Sequence, residues 1–173
     1  LVENLLSVSR LEGGQMNLHL STELIGEVVA EALRHINRRS AEHHLHIQSG
    51  DEYLLAQMDA HLIVQVIINI VNNAVKYTPP GTDITLSARR EGDTVRVEIA
   101  DTGPGIPQEA QGRLFQMFYT AGNDRGDGRR GLGLGLALCK SIVEAHGGKI
   151  GMRANEPHGS VFFFTLQAEE IKL

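Results

Sequence analysis

The 173-residue chain is poor in several things, and each shortage narrows its chemistry. It has one cysteine, Cys139, which excludes an internal disulfide framework and any metal centre built from thiolates, and which suits a reducing compartment. Lys and Arg number 16 against 21 Asp and Glu, for a net charge of −5. A nucleic-acid footprint needs clustered basic residues in excess, so none is expected. No apolar run spans a bilayer: the most apolar stretch, Leu62 to Val75, is broken by Gln65, Asn69, Asn72 and Asn73, far short of the ~20 residues required. The nucleotide loop Gly-x-x-x-x-Gly-Lys-Ser/Thr is missing, because the only Gly-Lys pair, Gly148-Lys149, is followed by Ile150. The first residue is Leu1 and no secretory leader pattern follows. We expect a piece of a longer chain.

What is present describes one soluble globular domain, with 42% apolar and 21% charged residues. Of its 19 glycines, 12 fall between Gly103 and Gly151. Such density implies tight turns, or backbone that must approach something closely. Apolar periodicity predicts a helix tail over 1–12, a strand at 16–20, and an amphipathic helix from Ser21, its N-cap, to Arg39. Strands at 44–48 and 54–58 precede a strong helix over 61–77, which Thr78-Pro79-Pro80-Gly81 ends. Alternation over 84–90 and 94–100 around Glu91-Gly92-Asp93 predicts a hairpin. A glycine turn at 101–107, a short amphipathic segment to Phe118 and a polar loop over 119–130 follow. The chain closes with a helix over 132–145 and strands at 149–153 and 160–167. Helices alternate with hairpins, which predicts a two-layer α/β sandwich: a mixed β-sheet with helices packed on one face.

Two features carry chemistry. At about 100° per residue, Gln65, Asn69, Asn72, Asn73 and Lys76 fall in one narrow arc of the 61–77 helix, and aliphatic residues fill the rest. A merely wet face would carry Glu, Lys or Arg, since Asn is a poor helix former. Asn69 and Asn73, four apart, instead present amide oxygens suited to a hard divalent cation that keeps several waters. Lys76, one turn on, adds positive charge toward phosphates. The second feature is a pair of glycine turns. Asp101-Thr102-Gly103-Pro104-Gly105-Ile106-Pro107 follows a strand, and a carboxylate there can accept a hydrogen bond from an exocyclic amine. Gly131-Leu132-Gly133-Leu134-Gly135-Leu136 opens a helix, where free backbone N–H groups favour phosphate oxygens. It is not the dinucleotide pattern Gly-x-Gly-x-x-Gly, because position 136 is Leu.

Order and spacing make these parts specific together. NIVNNAVKYT (69–78), DTGPGIP (101–107), LFQMFY (114–119), GLGLGL (131–136) and GGKI…GSVFFFTL (147–166) resemble the ATP-binding domain of sensor histidine kinases. That domain shares the Bergerat ATP-binding fold with gyrase, Hsp90 and MutL. The resemblance covers about residues 15–167, and GPGIP with the LCKSIVEAHGG run is most similar to the potassium-sensing Kdp branch. It implies ATP and Mg²⁺ as cofactors. Asn73 is then the Mg²⁺ ligand with Asn69 assisting, Lys76 reaches a phosphate, and Tyr77 lines the adenine pocket. Asp101 reads the adenine, Gly103, Gly105 and Ile106 form the close-approaching turn, and Ser160 touches the base through water. Phe115 and Phe118 form an aromatic box under a mobile lid at about 119–130, while 131–136 cradle phosphates. Many relatives carry an Arg where this chain has Thr120, so Arg125, Arg129 or Arg130 is expected to compensate.

The resemblance divides the chain into residues 1–14, the end of a second dimerisation helix, and 15–173, the catalytic domain. None of the eight histidines precedes an acidic residue and a proline, so the phosphoacceptor is expected on an absent dimerisation domain. The implied task is transfer of the ATP γ-phosphoryl group to that histidine, for relay to a response regulator. The full-length protein is then a homodimer anchored in the bacterial inner membrane, with this part cytoplasmic and touching neither membrane nor nucleic acid. Hydrolysis as in gyrase or Hsp90 needs a carboxylate base one turn before the Mg²⁺ asparagine, and Asn69 stands there. A serine kinase of the same fold and a non-catalytic binding domain are the remaining alternatives. Other features read as structural: His43, His44 and His46 as solvated strand residues, His146 as a helix end favoured by the dipole, Cys139 as core filler. Phe162, Phe163 and Phe164 are expected to pack on both faces of a strand.

Overall fold

A computed structural model describes residues 18–36, 42–48, 54–116 and 135–169. In chain order the elements are β1 (Ser21–Leu24), α1 (Ile25–Arg34), β2 (His44–Ile47), β3 (Leu55–Met58), α2 (Ala60–Tyr77), β4 (Asp83–Glu91) and β5 (Thr94–Asp101). A single turn, α3 (Gln108–Gln111), then precedes α4 (Gly135–Ala145), β6 (Ile150–Ala154) and β7 (Ser160–Gln167). Five strands form one sheet in the order β2-β4-β5-β7-β6, while β1 and β3 pair as a separate ribbon. Only β2 runs parallel to its neighbour; the other pairings in that sheet are antiparallel. The expected mixed sheet is therefore present.

Period-2 burial separates the sheet's two faces. Ile84, Leu86, Val95, Val97, Ile99, Phe162, Phe164 and Leu166 are buried and join the core built with the helices. The opposite face holds a charged cluster instead. There Arg96 Nε donates to Glu98 at 2.9 Å, Arg89 and Arg153 approach the same carboxylate at 3.7 Å each, and the Arg96 guanidinium lies 3.9 Å over the Phe163 ring. Phe163 thus faces away from Phe162 and Phe164, as alternation requires.

The helix α2 is the centre of the helical layer, packed between α1 and α4. Its residues Ile63, Val66, Ile67, Ile70 and Val71 are buried to 1% exposure or less, whereas Gln65, Asn69, Asn72, Asn73 and Lys76 stay half-buried. Cys139 is fully buried against it, with Sγ 3.6 Å from the Val66 carbonyl oxygen, and burial drives its thiol pKa far up. It is inert filler.

Several expectations need correction. The strand placed at 16–20 lies at 21–24, and Ser21 is therefore not a helix cap: α1 begins at Ile25 after Leu24 and ends at Arg34. Antiparallel pairing of Ser21–Leu24 with Leu55–Met58 takes those residues out of the helix, a tertiary demand that local spacing does not reveal. His44 and His46 are exposed as expected, but His43 is buried with its Nε2 3.0 Å from Thr78 Oγ1. His146 is buried too. Its Nδ1–H donates to the Ile142 carbonyl at 2.7 Å and its Nε2 accepts from the Asp59 backbone N–H at 3.0 Å. It joins the end of α4 to the start of α2 through both ring nitrogens, a buried bridge and not a solvated helix end. The expected helix tail at 1–12 and the lid at 119–130 lie outside the described residues.

The two faces of α2 differ in what they hold together. Ile70→Ala should cost about 2–5 kcal/mol by leaving a cavity in a fully buried site. Asn73→Ala should change stability by no more than about 0.5 kcal/mol. Urea unfolding of both variants checks this, with Ile70→Ala shifting the midpoint and Asn73→Ala leaving it in place.

Candidate nucleotide-binding site

The polar arc of α2 runs from the start of α4 to the turn after β5. At one end, a Cβ placed on Gly135 would lie 3.5 Å from Asn69 Oδ1, so the first residue of α4 sits directly against that amide. At the other end Thr78, the residue after α2, packs so closely on Gly103 that a Cβ there would stand 2.5 Å from Thr78 Cγ2. Thr78 Oγ1 donates to the Ala74 carbonyl and accepts from His43. Asn73 lies between these ends, half-buried, and among the described residues its amide makes no hydrogen bond. Lys76 Nζ lies 5.0 Å from the centroid of the Tyr77 ring, and Tyr77 is 37% exposed.

Asp101 closes the central strand β5 and is 5% exposed. Its Oδ1 accepts two backbone N–H donors, Gly103 at 2.9 Å and Ser160 at 3.2 Å. Both bonds fall on one oxygen, which leaves the Oδ2 lone pairs for another donor. Burial pushes the carboxyl above its ordinary range, and the two N–H bonds pull part of the way back. Ser160 is 2% exposed and pairs directly with Asp101 across β5 and β7. Gly105 turns the chain with φ +85°, and Ile106 beyond it is half-buried against the core. Gly159, at φ +110°, has no room for a Cβ, which would collide with the Asp101 carbonyl oxygen. An L side chain fits neither the angle nor the space.

Of the residues singled out from sequence, the fold thus brings Asn69, Asn73, Lys76 and Tyr77 on α2 alongside Asp101, Gly103, Gly105, Ile106 and Ser160. Gly135 and Leu136 open α4 beside them. Phe115 packs edge-on against Phe162 with centroids 6.3 Å apart. Phe118, Thr120, Arg125, Arg129, Arg130, Gly131, Leu132, Gly133 and Leu134 lie outside the described residues. Sequence reasoning missed the supports. His43, Asn155 and His158 all bond to this region, and nothing in their local pattern separates them from strand or turn residues.

Residues 58–170 match the family of histidine kinase-, DNA gyrase B- and HSP90-like ATPases. The chain belongs to that family. Sensor protein KdpD of Clostridium acetobutylicum is 39% identical to it over 169 residues, which cover 98% of this chain and 19% of that protein. The chain therefore spans about a fifth of that relative's length. Among solved structures, the catalytic domain of histidine kinase ThkA superposes with a TM-score of 0.75 at 28% identity, covering 86% of this chain and 97% of that one. A complex of ThkA with the response regulator protein TrrA contains a kinase similar at 25% identity and a TM-score of 0.76, covering 97% of this chain and 48% of that one. The mixed sheet and its helices are those of histidine kinase catalytic domains, with their ATPase architecture. Among the described residues no helix is long and apolar enough to cross a membrane.

Asp101 should make the free domain's stability depend on pH in a definite direction. Its carboxyl holds the proton more tightly in the folded than in the unfolded chain, so the folded state binds more protons between the ordinary and the raised pKa. Stability from this group is present below that window and is lost as pH rises through it. Asp101→Asn keeps the Oδ1 acceptor for Gly103 and Ser160 and removes the buried charge. In urea titrations across the window, the variant should gain on the native protein with rising pH and be the more stable at neutral pH. A variant less stable than native at neutral pH would mean that the N–H bonds outweigh burial.

Proposed function

We propose that this domain binds Mg²⁺-ATP and presents its γ-phosphate to a histidine on a dimerisation domain of the same protein, for relay to a response regulator. The observation that carries the reading is the Asp101 carboxylate, buried at the end of β5 and fixed through Oδ1 by two backbone donors beside the amide arc of α2. A fixed acceptor of this kind pairs with the amine at C6 of adenine, where guanine carries a carbonyl oxygen. Tyr77, Gly105, Ile106 and Ser160 surround the base in this reading, and Gly103 lets Thr78 close against it.

The donor set fits Mg²⁺. Asn73 offers a half-buried amide oxygen without a partner among the described residues, and Asn69 stands one turn before it. Among the described residues no three His, Cys, Asp or Glu side chains cluster to cage a metal. A hard cation held by amide oxygens alone takes its other ligands from water and phosphate, as Mg²⁺ does in nucleotide sites. Asn73 would hold it with help from Asn69, and it supplies neutralisation of phosphate charge when bound.

The remaining chemistry is positioning and charge screening. Lys76 and one of Arg125, Arg129 and Arg130 face the phosphates in this reading, and the backbone N–H groups of Gly131, Leu132, Gly133, Leu134, Gly135 and Leu136 cradle them. A lone pair on an imidazole nitrogen attacks the γ-phosphorus in line, the bond to the β–γ bridging oxygen breaks, and ADP leaves. The imidazole proton is released to solvent. The neutral imidazole is already a competent nucleophile, so no strong base is needed. Asn69 stands where a hydrolase would need a carboxylate, and an amide cannot take a proton from water. The whole protein is then a homodimeric sensor kinase of the Kdp kind, anchored in the inner membrane with this domain in the cytoplasm.

Asn73→Ala should remove most of the Mg²⁺-dependent gain in ATP affinity and leave metal-free binding less affected. Calorimetric titrations with and without Mg²⁺ measure this. The same Mg²⁺ dependence in variant and native protein would reduce the amide arc to a wet face.

The reaction itself is tested in two pieces. This chain with labelled ATP should not label itself, and a separate polypeptide carrying the dimerisation segment should become labelled weakly. Separation forfeits an effective concentration of order mM. The label should be labile in acid and stable in base, as phosphate on nitrogen is. Acid-stable label would instead favour a serine kinase.

A further inference from the structure

We propose that the β6–β7 turn, through Asn155 and His158, holds the base-reading segment in place, making both residues positioning residues for nucleotide affinity. The inference rests on the reading of Asp101 as the adenine acceptor. The turn reaches back across the sheet end and takes hold of the chain on both sides of Thr102. Asn155 Nδ2 donates to the backbone carbonyl of Asp101 at 2.9 Å. His158 Nδ1 lies 3.0 Å from the Gly103 carbonyl oxygen. A carbonyl only accepts, so Nδ1 carries the hydrogen. The Ser160 N–H, one residue beyond Gly159, binds the carboxylate itself.

The turn is in turn stiffened for this task. Asn155 N–H donates to the Gly159 carbonyl at 3.0 Å, and its Oδ1 accepts from the Glu156 N–H at 2.9 Å. One asparagine therefore closes its own turn and ties it to Asp101. Gly159 lies flush on the Asp101 carbonyl, and a Cβ on Gly105 would come within 3.3 Å of the Gly159 carbonyl oxygen. The Asp101–Gly105 turn and the β6–β7 turn are thus packed backbone to backbone, without side chains between them.

The consequence is directional. The bonds of Gly103 and Ser160 to Oδ1 set the plane of the carboxylate, and both donors belong to segments that Asn155 and His158 hold together. Removing either hook lets the two turns part, and the carboxylate loses its fixed aim before the fold loses its core. His158 is exposed, so its truncation removes no buried packing. On the opposite side Thr78 bears on Gly103, so the segment is braced from α2 and hooked from β6–β7.

The test measures ATP affinity of the 173-residue chain by calorimetry, with inorganic triphosphate as a probe that lacks the base. His158→Ala and Asn155→Ala should each weaken ATP by about three- to tenfold, the range for one lost hydrogen bond. Triphosphate affinity and the thermal midpoint of His158→Ala should stay at native values. His158→Asn places an amide N–H where Nδ1 stood and should restore ATP affinity. Asp101→Asn serves as the reference and should weaken ATP by more than either hook. If Asp101→Asn weakens ATP while both hook variants match the native protein, the positioning role is overturned and the base reading stands. A parallel fall in triphosphate affinity would also overturn it, since the effect would then be on the domain as a whole. If Asp101→Asn itself leaves ATP affinity unchanged, the base reading falls and the hooks with it.

Discussion

Burial of the aliphatic arc of α2 is the constraint on which the rest of this domain depends. Five fully buried aliphatic residues along that helix meet the sheet and pack between α1 and α4. Once that arc is turned inward, the rotation of the helix is fixed and the asparagine arc has one direction left. Rotation by a single residue, about 100°, would bury amides and expose isoleucines. The site is thus oriented by the hydrophobic effect acting on residues that take no part in its chemistry.

Around that helix the site is assembled from segments far apart in sequence. The start of α4 meets Asn69, the turn after β5 meets Thr78, and β7 supplies the Ser160 N–H to Asp101. Each junction is tight enough to dictate residue type. Gly103 faces a threonine methyl and Gly159 faces a carbonyl oxygen, so neither tolerates a side chain. The cost of burying Asp101 is only partly offset by backbone donors on a single oxygen, so the empty domain gives up some stability to keep a carboxyl there. The opposite sheet face solves a different problem. Arg89, Arg96 and Arg153 gather round Glu98, and Arg96 covers the Phe163 ring, which keeps an otherwise open sheet polar toward solvent.

Most element types were legible from periodicity. The 61–77 helix, the 84–100 hairpin and the final strand are long and strongly patterned, and their bounds move by only a residue or so in the structure. The failure came at 16–24, where a short strand and a helix start compete and only pairing with β3 decides between them. His43 and His146 were misread for a related reason. Both are polar residues at element ends whose partners, Thr78 and Asp59, are remote in sequence.

The sequence by itself determined the family, the element order and the chemically distinctive residues, because periodicity, glycine spacing and the amide stripe are local quantities that survive in a string of letters. Asn69, Asn73 and Asp101 could be named without coordinates. Only the tertiary structure decided which oxygen of Asp101 is tied and which is left over, and that the β6–β7 turn grips the segment from Asp101 to Gly103. Apart from the local Gly103 bond to Asp101, those are hydrogen bonds across 54 to 59 residues of chain, and no local pattern encodes them. They exist because the sheet brings two strand ends side by side, where unpaired carbonyls must find donors.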